Sequence, residues 1–392
     1  MANANQVSLG RINLSTGTGY DGANDKYALY LKLFSGEMFK GFQHNTIARD
    51  LVMKRTLKNG KSLQFIYTGR MSAAYHTPGT PILGNSDKAP PVAEKTINMD
   101  DLLISSAFVY DLDETLAHYE LRGEISKKIG YALAEHYDRR IFRAIAKGAR
   151  QASPVQGSSS TSMEEPGGTQ IRVGSTGTAA SDAYDPGHLV NAFYDAAAAL
   201  DEKGVSSQGR VAVLNPRQYY ALINATGSAN GSAVVSTGLV NRDVQGNALQ
   251  GGQGVIEIAG IKIYKSMNIP FFGNYGTKYG SGSATNPGVA NPGNVGDFVG
   301  AGIETSDDGN QTGGQYGVQS DFSKSCGLIF QKEAAAVVEA IGPQVQVTNG
   351  DISVIYQGDV ILGRLAMGTD YLNPAACVEL FAGATTGNGV IS

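Results

Sequence analysis

The stretch GTGYDG (Gly17–Gly22) has the G-x-G-x-x-G spacing with which nucleotide-binding enzymes hold a pyrophosphate at a helix N-terminus. Free backbone N–H groups and the helix dipole favour an anion there. That chemistry requires a buried strand before the glycines and a βαβ unit after them. RINLST, ahead of them, is too short and polar for such a strand, and the residues beyond read as a short helix and then an antiparallel hairpin. No nucleotide is expected at Gly17, Gly19 and Gly22, and no cofactor or metal is expected elsewhere. Gly60, Lys61 and Ser62 copy the tail of a P-loop, but Arg55 stands where its first glycine belongs.

The other reactive residue types are scattered. His44, His76, His118, His136 and His188 never fall at a metal-ligand spacing. A hydrolase using His76, or the acids Asp100, Asp101, Asp111, Asp113 and Glu114, is the alternative enzymatic reading. No nucleophile or orienting acid accompanies His76, and strand-end and capping roles account for the acids. Cys326 and Cys377 lie far apart with no histidine nearby, which suits two buried apolar side chains better than a disulfide or a nucleophile. The expectation is a protein without catalysis. The densest charge is Arg139, Arg140, Arg143, Lys147 and Arg150, the best candidate for a phosphate contact. These cations also fill the last turns of a helix, where the dipole stabilises them without any ligand.

The elements that would carry these residues are legible from periodicity. Lys26–Phe42 places Leu29, Leu33 and Phe34 at helical spacing. SLQFIYTGR alternates as a strand after the turn KNGK, and EKTINMDDLLISSAFVY reads as its returning partner, so residues 50–110 form a long hairpin with a proline-rich far end. A two-stranded arm is marginal alone and needs a surface to lie on. From Asp111 to Ala149 a single helix is expected, capped by Asp111 with Glu114 as box partner. Leu121, Ile125, Ile129, Leu133, Tyr137, Ile141 and Ile145 repeat every four residues. Such a stripe winds around the helix, unlike the alternating three-and-four seam of a coiled coil. The helix is therefore a spine burying different faces along its length, and Gly123 and Gly130 are candidate points of close backbone approach.

Residues 151–184 read as a Ser/Gly/Thr-rich insertion. Asp185 and Pro186 then cap a helix with Leu189, Phe193, Ala197 and Leu200 on its face and Gly204 as its stop. RVAVLNPRQYYALIN is a strand followed by an Asn-Pro-capped helix, and GVIEIAGIKIYKSMNIP is a hairpin turning at Ala259–Gly260. Residues 271–320 hold 13 glycines and five charged residues, a long loop. GLIFQKEAAAVVEA and a closing pair of strands, DVILGRLAMGTDYLNPAACVELFA, complete an α+β protein.

Composition sets the outer limits. Charged residues make up 17% of the 392, below the usual quarter, and 51 glycines are nearly twice the common share. The net charge of −4 divides unevenly: residues 1–150 carry 20 basic and 15 acidic side chains, the remainder 11 and 20. Unlike halves suit contacts between identical copies, and a dedicated nucleic-acid binder would be more basic. MANANQVSLGR has neither a basic nor an apolar signal region, and no apolar run reaches a membrane span, so an origin in a cytosol and no membrane partner are expected.

The order of these elements, and several short words within them, resembles the HK97-like major capsid proteins of tailed double-stranded DNA phages, most of all short-tailed podoviruses of the autographivirus type. The words are KYALYLKLFSGE (Lys26–Glu37), GKSLQF (Gly60–Phe65), Gly69, Arg70, Ala73–Tyr75 and Pro78–Gly79, then VYDLDETLAHYELRGE (Val109–Glu124), YQGDVILGRLAMG (Tyr356–Gly368) and LNPAA (Leu372–Ala376). The resemblance implies an N-terminal arm at 1–25, a helical segment of the P-domain at 26–49 and an E-loop at 50–108. It further implies the P-domain spine helix with its insertion at 109–184, an A-domain at 185–340, and C-terminal strands returning to the P-domain at 341–392. Hexamers and pentamers would form an icosahedral shell around packaged double-stranded DNA held without sequence specificity, with scaffolding, portal and tail proteins as partners. The setting would be a virion assembled in a bacterial host cytoplasm. Lys61, Arg70, Tyr75, Pro78, Gly17, Gly19 and Gly22 would lie at contacts between subunits, and Arg139, Arg140, Arg143, Lys147 and Arg150 would face the DNA. The other alternative to a shell is a Gly-rich structural fibre.

Overall fold

A computed structural model describes residues 47–69, 75–79, 92–100, 102–110, 121–153, 166–174, 180–223, 256–270, 324–347, 355–382 and 386–387. The helix expected at 26–42, Gly17–Gly22, Arg70, the Asp111 cap and the loop 271–320 lie outside them. In chain order the elements are α1 (Ala48–Leu51), β1 (Met53–Thr56), β2 (Ser62–Thr68), β3 (Val92–Asn98), β4 (Leu103–Tyr110) and α2 (Leu121–Ala149). There follow β5 (Thr169–Arg172), α3 (Pro186–Glu202), β6 (Arg210–Leu214), α4 (Pro216–Ile223), β7 (Ile256–Ile258), β8 (Ile261–Lys265), β9 (Ser325–Gln331), β10 (Ala335–Val347), β11 (Gly358–Tyr371) and β12 (Cys377–Phe381). The class is α+β, as expected.

The chain divides into two compact units. In the first unit β4 pairs antiparallel with the opening half of β11, Gly358 opposite Tyr110 through Leu365 opposite Leu103. The α2 stripe lies against this strand at Gly363. A Cβ there would fall 2.3 Å from Ile129 Cγ2 and 2.9 Å from Leu133 Cδ1. Close approach is thus achieved by a glycine on the strand. Among the described residues nothing lies within 4 Å of a Cβ at Gly130 on the helix, so the close backbone approach expected there is not made by them.

The second unit is built on a six-stranded sheet of order β5-β12-β9-β6-β8-β7. Its central strands β6, β9 and β12 are buried along almost their whole length. Such strands must be apolar on both faces, which explains RVAVL, SCGLIF and CVELF. α3 begins at Asp185, whose carboxylate accepts from Gly187 N (2.8 Å) and His188 N (3.3 Å), with Pro186 in the first turn. It buries Leu189, Phe193 and Leu200 with Val190, Ala192 and Ala196, while Ala197 is only half-buried. The β7–β8 turn sits at Ala259 and Gly260, both at positive φ (52° and 75°), as a two-residue hairpin requires. In the C-terminal turns of α2, burial spreads from Tyr137, Ile141 and Ile145 to Phe142, Ala144, Ala146 and Ala149. The winding stripe ends as a helix buried nearly all round.

Three expectations change. EKTINMDDLLISSAFVY is two strands. β3 pairs with β2, Ser62 opposite Asn98 through Thr68 opposite Val92. It ends where Met99 N–H bonds Lys61 O (2.8 Å) and Asp100 N–H bonds Met367 O (3.1 Å), and β4 then pairs with β11. The stretch 151–184 is more than an insertion, because it supplies edge strand β5, parallel to β12, and a 3₁₀ turn at Ala180–Tyr184. The last two strands are not a hairpin. β11 pairs with β4 and β12 with β5 and β9, because the Asn373-capped 3₁₀ turn Pro374–Ala376 redirects the chain between sheets.

Candidate functional site

Among the described residues no three His, Cys, Asp or Glu side chains approach closely enough to hold a metal ion. His76 is exposed in the segment 75–79, and His188 Nδ1 stands 3.9 Å from Asp182 Oδ1. Cys326 and Cys377 are buried free thiols, and burial raises the pKa of each above the ordinary thiol range. Neither is a poised nucleophile. What the fold does assemble is a set of buried or half-buried carboxylates, each collecting partners from distant segments.

The basic cluster closing α2 divides. Arg150 is buried, and its guanidinium holds Glu379 in a two-point pair, Nε–Oε2 2.7 Å and NH2–Oε1 2.6 Å. Ser325 Oγ also donates to Glu379 Oε1 (2.5 Å) and Gln170 Nε2 to Oε2 (2.8 Å), so one carboxylate joins α2, β5, β9 and β12. Arg139 is likewise buried, whereas Arg140, Arg143 and Lys147 are half-buried. Lys147 Nζ lies 3.9 Å from Asp370 Oδ1. Burial lowers the Lys147 pKa; Asp370 opposes that shift, and the Arg143 and Lys95 charges reinforce it. Arg150 is thus an internal cross-link, and its burial removes it from any surface of this chain that a nucleic acid could meet.

Glu339 on β10 is the second such centre. Tyr137 Oη donates to its Oε1 at 2.6 Å, Lys54 Nζ lies 2.7 Å from its Oε2, and Arg49 Nε stands 3.4 Å from Oε1. Burial alone would raise the Glu339 pKa, but the hydrogen bonds from Lys54 and Tyr137 and the Arg49 charge outweigh it and leave the carboxyl below its ordinary value. Burial and the bond to Glu339 push the Tyr137 phenol well up. The next residue of α2, Asp138, accepts from Ile47 N (2.9 Å), Ala48 N (3.1 Å) and Asn268 Nδ2 (3.3 Å). It supplies from α2 the cap that α1 lacks in its own sequence.

The third centre roots the β2–β3 hairpin. Along β2, exposure alternates strictly, with Leu63, Phe65 and Tyr67 on the covered face. Leu63 and Phe65 pack with Met53, Leu57 and Met99 around buried Ile97, Ala336 and Val338. Lys95 Nζ lies 2.7 Å from Asp370 Oδ2 and 3.6 Å from the centre of the Tyr371 ring, and Tyr67 Oη bonds Asn373 Oδ1 (3.1 Å). The outer face leaves Ile66 78% and Val92 64% exposed. Lys61, Tyr75 and Pro78 are all exposed, Tyr75 entirely.

Glu339, Glu379, Asp138 and Asp370 escape a motif search because their partners come from other parts of the chain. The available signal was a lone acid inside an apolar run, AAAVVEA and CVELF, since such an acid must be paired where it is buried.

The profile of a family described as "Gp10A-like: Major capsid protein" matches residues 64–302. The major capsid protein of Escherichia phage T7 is 30% identical over 231 residues, which cover 57% of this chain and 65% of that protein. The chain thus spans less than two thirds of that relative's length. A chain of the capsid structure of cyanophage P-SCSP1u is 30% identical and superposes with a TM-score of 0.66 over 97% of this chain and 99% of its own. The mature capsid of bacteriophage PhiM1 shares the fold at 13% identity, with a TM-score of 0.60 over 91% of this chain and 92% of its own.

Proposed function

Because the chain belongs to the Gp10A-like major capsid protein family, we propose that it is the repeating subunit of an icosahedral phage head. The observation that carries this reading is the end-to-end likeness to a capsid chain, at 30% identity over nearly the full length of both. The HK97-like fold goes with it. On this reading residues 1–25 are the arm, 50–108 the E-loop and 185–340 the A-domain. Hexamers and pentamers of the chain close around double-stranded DNA in the virion. Scaffolding protein acts during assembly in the bacterial cytoplasm, and portal and tail proteins complete the particle. The subunit works by packing and has no catalytic role. Its hairpin suits that work, because a two-stranded arm with an apolar outer pair gains stability when laid across a neighbour. Heterologous contacts of this kind close into rings.

Electron microscopy of the chain expressed in bacteria with its scaffolding protein tests the proposal. Closed shells of uniform size are the expected result. A protein that stays monomeric, or forms only irregular aggregates, overturns it.

A further inference from the structure

We infer that the turn between β1 and β2 of one copy docks by charge against the exposed face of α3 on a neighbouring copy, an inference that rests on the shell-forming reading above. Residues 53–61, MKRTLKNGK, hold four cations and no acid. Lys54 is committed to Glu339. Arg55, Lys58 and Lys61 are exposed, and among the described residues no ion pair or hydrogen bond engages their side chains. The backbone presenting them is fixed. Leu57 N–H bonds Glu339 O (2.9 Å), Met99 N–H bonds Lys61 O (2.8 Å), and Gly60 makes the bend at φ +96°. A basic knuckle already held in shape loses little backbone freedom on docking.

α3 offers the complement. Pro186–Glu202 contains no lysine or arginine. Asp195 and Glu202 are exposed, seven residues apart, and therefore on one face about 10.5 Å from each other. Among the described residues neither is paired. Asp201, beside them, is held by Arg210 at 2.6 Å. The next cation in the chain, Lys203, turns inward to Gly167 O (2.6 Å) and leaves the face negative. Tyr194, 47% exposed, adds to the same surface an aromatic of the type enriched in interfaces. Nucleic acid would also attract the knuckle. The matching carboxylates, however, are on this chain, so every copy in an assembly brings both halves. One exposed pair contributes little and is screened by salt, but a shell repeats it at every subunit.

Charge exchange tests the contact. Lys58→Glu with Lys61→Glu should lower the yield of shells at least tenfold while the unassembled chain melts as the parent does. Asp195→Lys with Glu202→Lys should do the same. Joining all four substitutions in one chain should bring the yield back to within about threefold of the parent, because the pairs are restored with signs exchanged. One-sided variants that assemble like the parent overturn the inference, as does a fourfold variant that fails to recover. Normal shells with reduced DNA content from Lys58→Glu with Lys61→Glu would also overturn it and assign the knuckle to nucleic acid. Each of these outcomes leaves the shell-forming reading standing. A parent chain that never forms shells removes both.

Discussion

Arg150 at the end of α2 and Glu379 in β12, 229 residues apart in sequence, meet side on through two bonds of 2.6 and 2.7 Å with both side chains almost wholly out of water. Burying two charges is costly, and here the cost is offset by geometry and by the extra donors Ser325 and Gln170. Arg150→Met should therefore destabilise the chain by about 3–5 kcal/mol, since it strands a buried carboxylate. Arg150→Met with Glu379→Met should recover most of that loss. Chemical denaturation of the unassembled chain checks both, and a double variant no better than the single one would refute the account.

Glu339 gives an acid dependence. Its folded pKa lies below that of an unfolded glutamate. Its contribution is therefore complete above about pH 4.3 and is lost as the pH falls through the folded value. Glu339→Gln should be less stable than the parent at neutral pH, and the gap should narrow on acidification below about pH 4.3. Denaturation midpoints measured at several pH values decide this. A gap that does not change with pH would show that the carboxylate's charge is not what matters.

Two glycines should respond unequally to the same added methyl group. At Gly168 a Cβ would meet backbone atoms, Gly148 O at 2.3 Å and Ala149 C at 2.4 Å. At Gly363 the nearest atoms are side-chain carbons of Ile129 and Leu133, which can rotate. Gly363→Ala is expected to cost about 1–3 kcal/mol and Gly168→Ala more than about 3 kcal/mol. Thermal melts of the two variants order them. Equal losses would contradict the distinction.

The hairpin root can be loosened on its own. Tyr67→Phe removes the bond to Asn373, and Lys95→Met removes both the Asp370 pair and the charge over Tyr371. Each is expected to weaken the root by about 0.5–1.5 kcal/mol. Amide exchange should quicken several-fold in β2 and β3 while β6, β9 and β12 keep their protection. Uniform quickening through the six-stranded sheet would mean that the hairpin is not a separate unit of opening.

What could be read beforehand was local chemistry. Asp185 and Pro186 announced α3 because a cap and its first turn are neighbours in the chain, and Ala259–Gly260 announced a hairpin for the same reason. The winding stripe of α2 was legible because its period lies within one helix. β5 was not, because Thr169–Arg172 is half-buried and mixed in character, and only pairing with β12 makes it a strand. Arg150 read as a surface cation for a related reason, as its partner lies beyond seven intervening strands. Glu339 and Asp138 were silent because a buried acid is recognised by its partners, and those come from α1, β1 and the segment at Asn268.

The place of β12 in its sheet sets a timetable for synthesis. It lies between β5 and β9, and among the described residues β5 has no other strand neighbour. On the ribosome, β5, α3 and β6 emerge long before the strand that completes their sheet. Contacts of such sequence separation close slowly and leave strand edges open meanwhile. The second unit cannot be finished until Phe381 has cleared the exit tunnel. A chain interrupted before Phe381 therefore lacks a completed second unit.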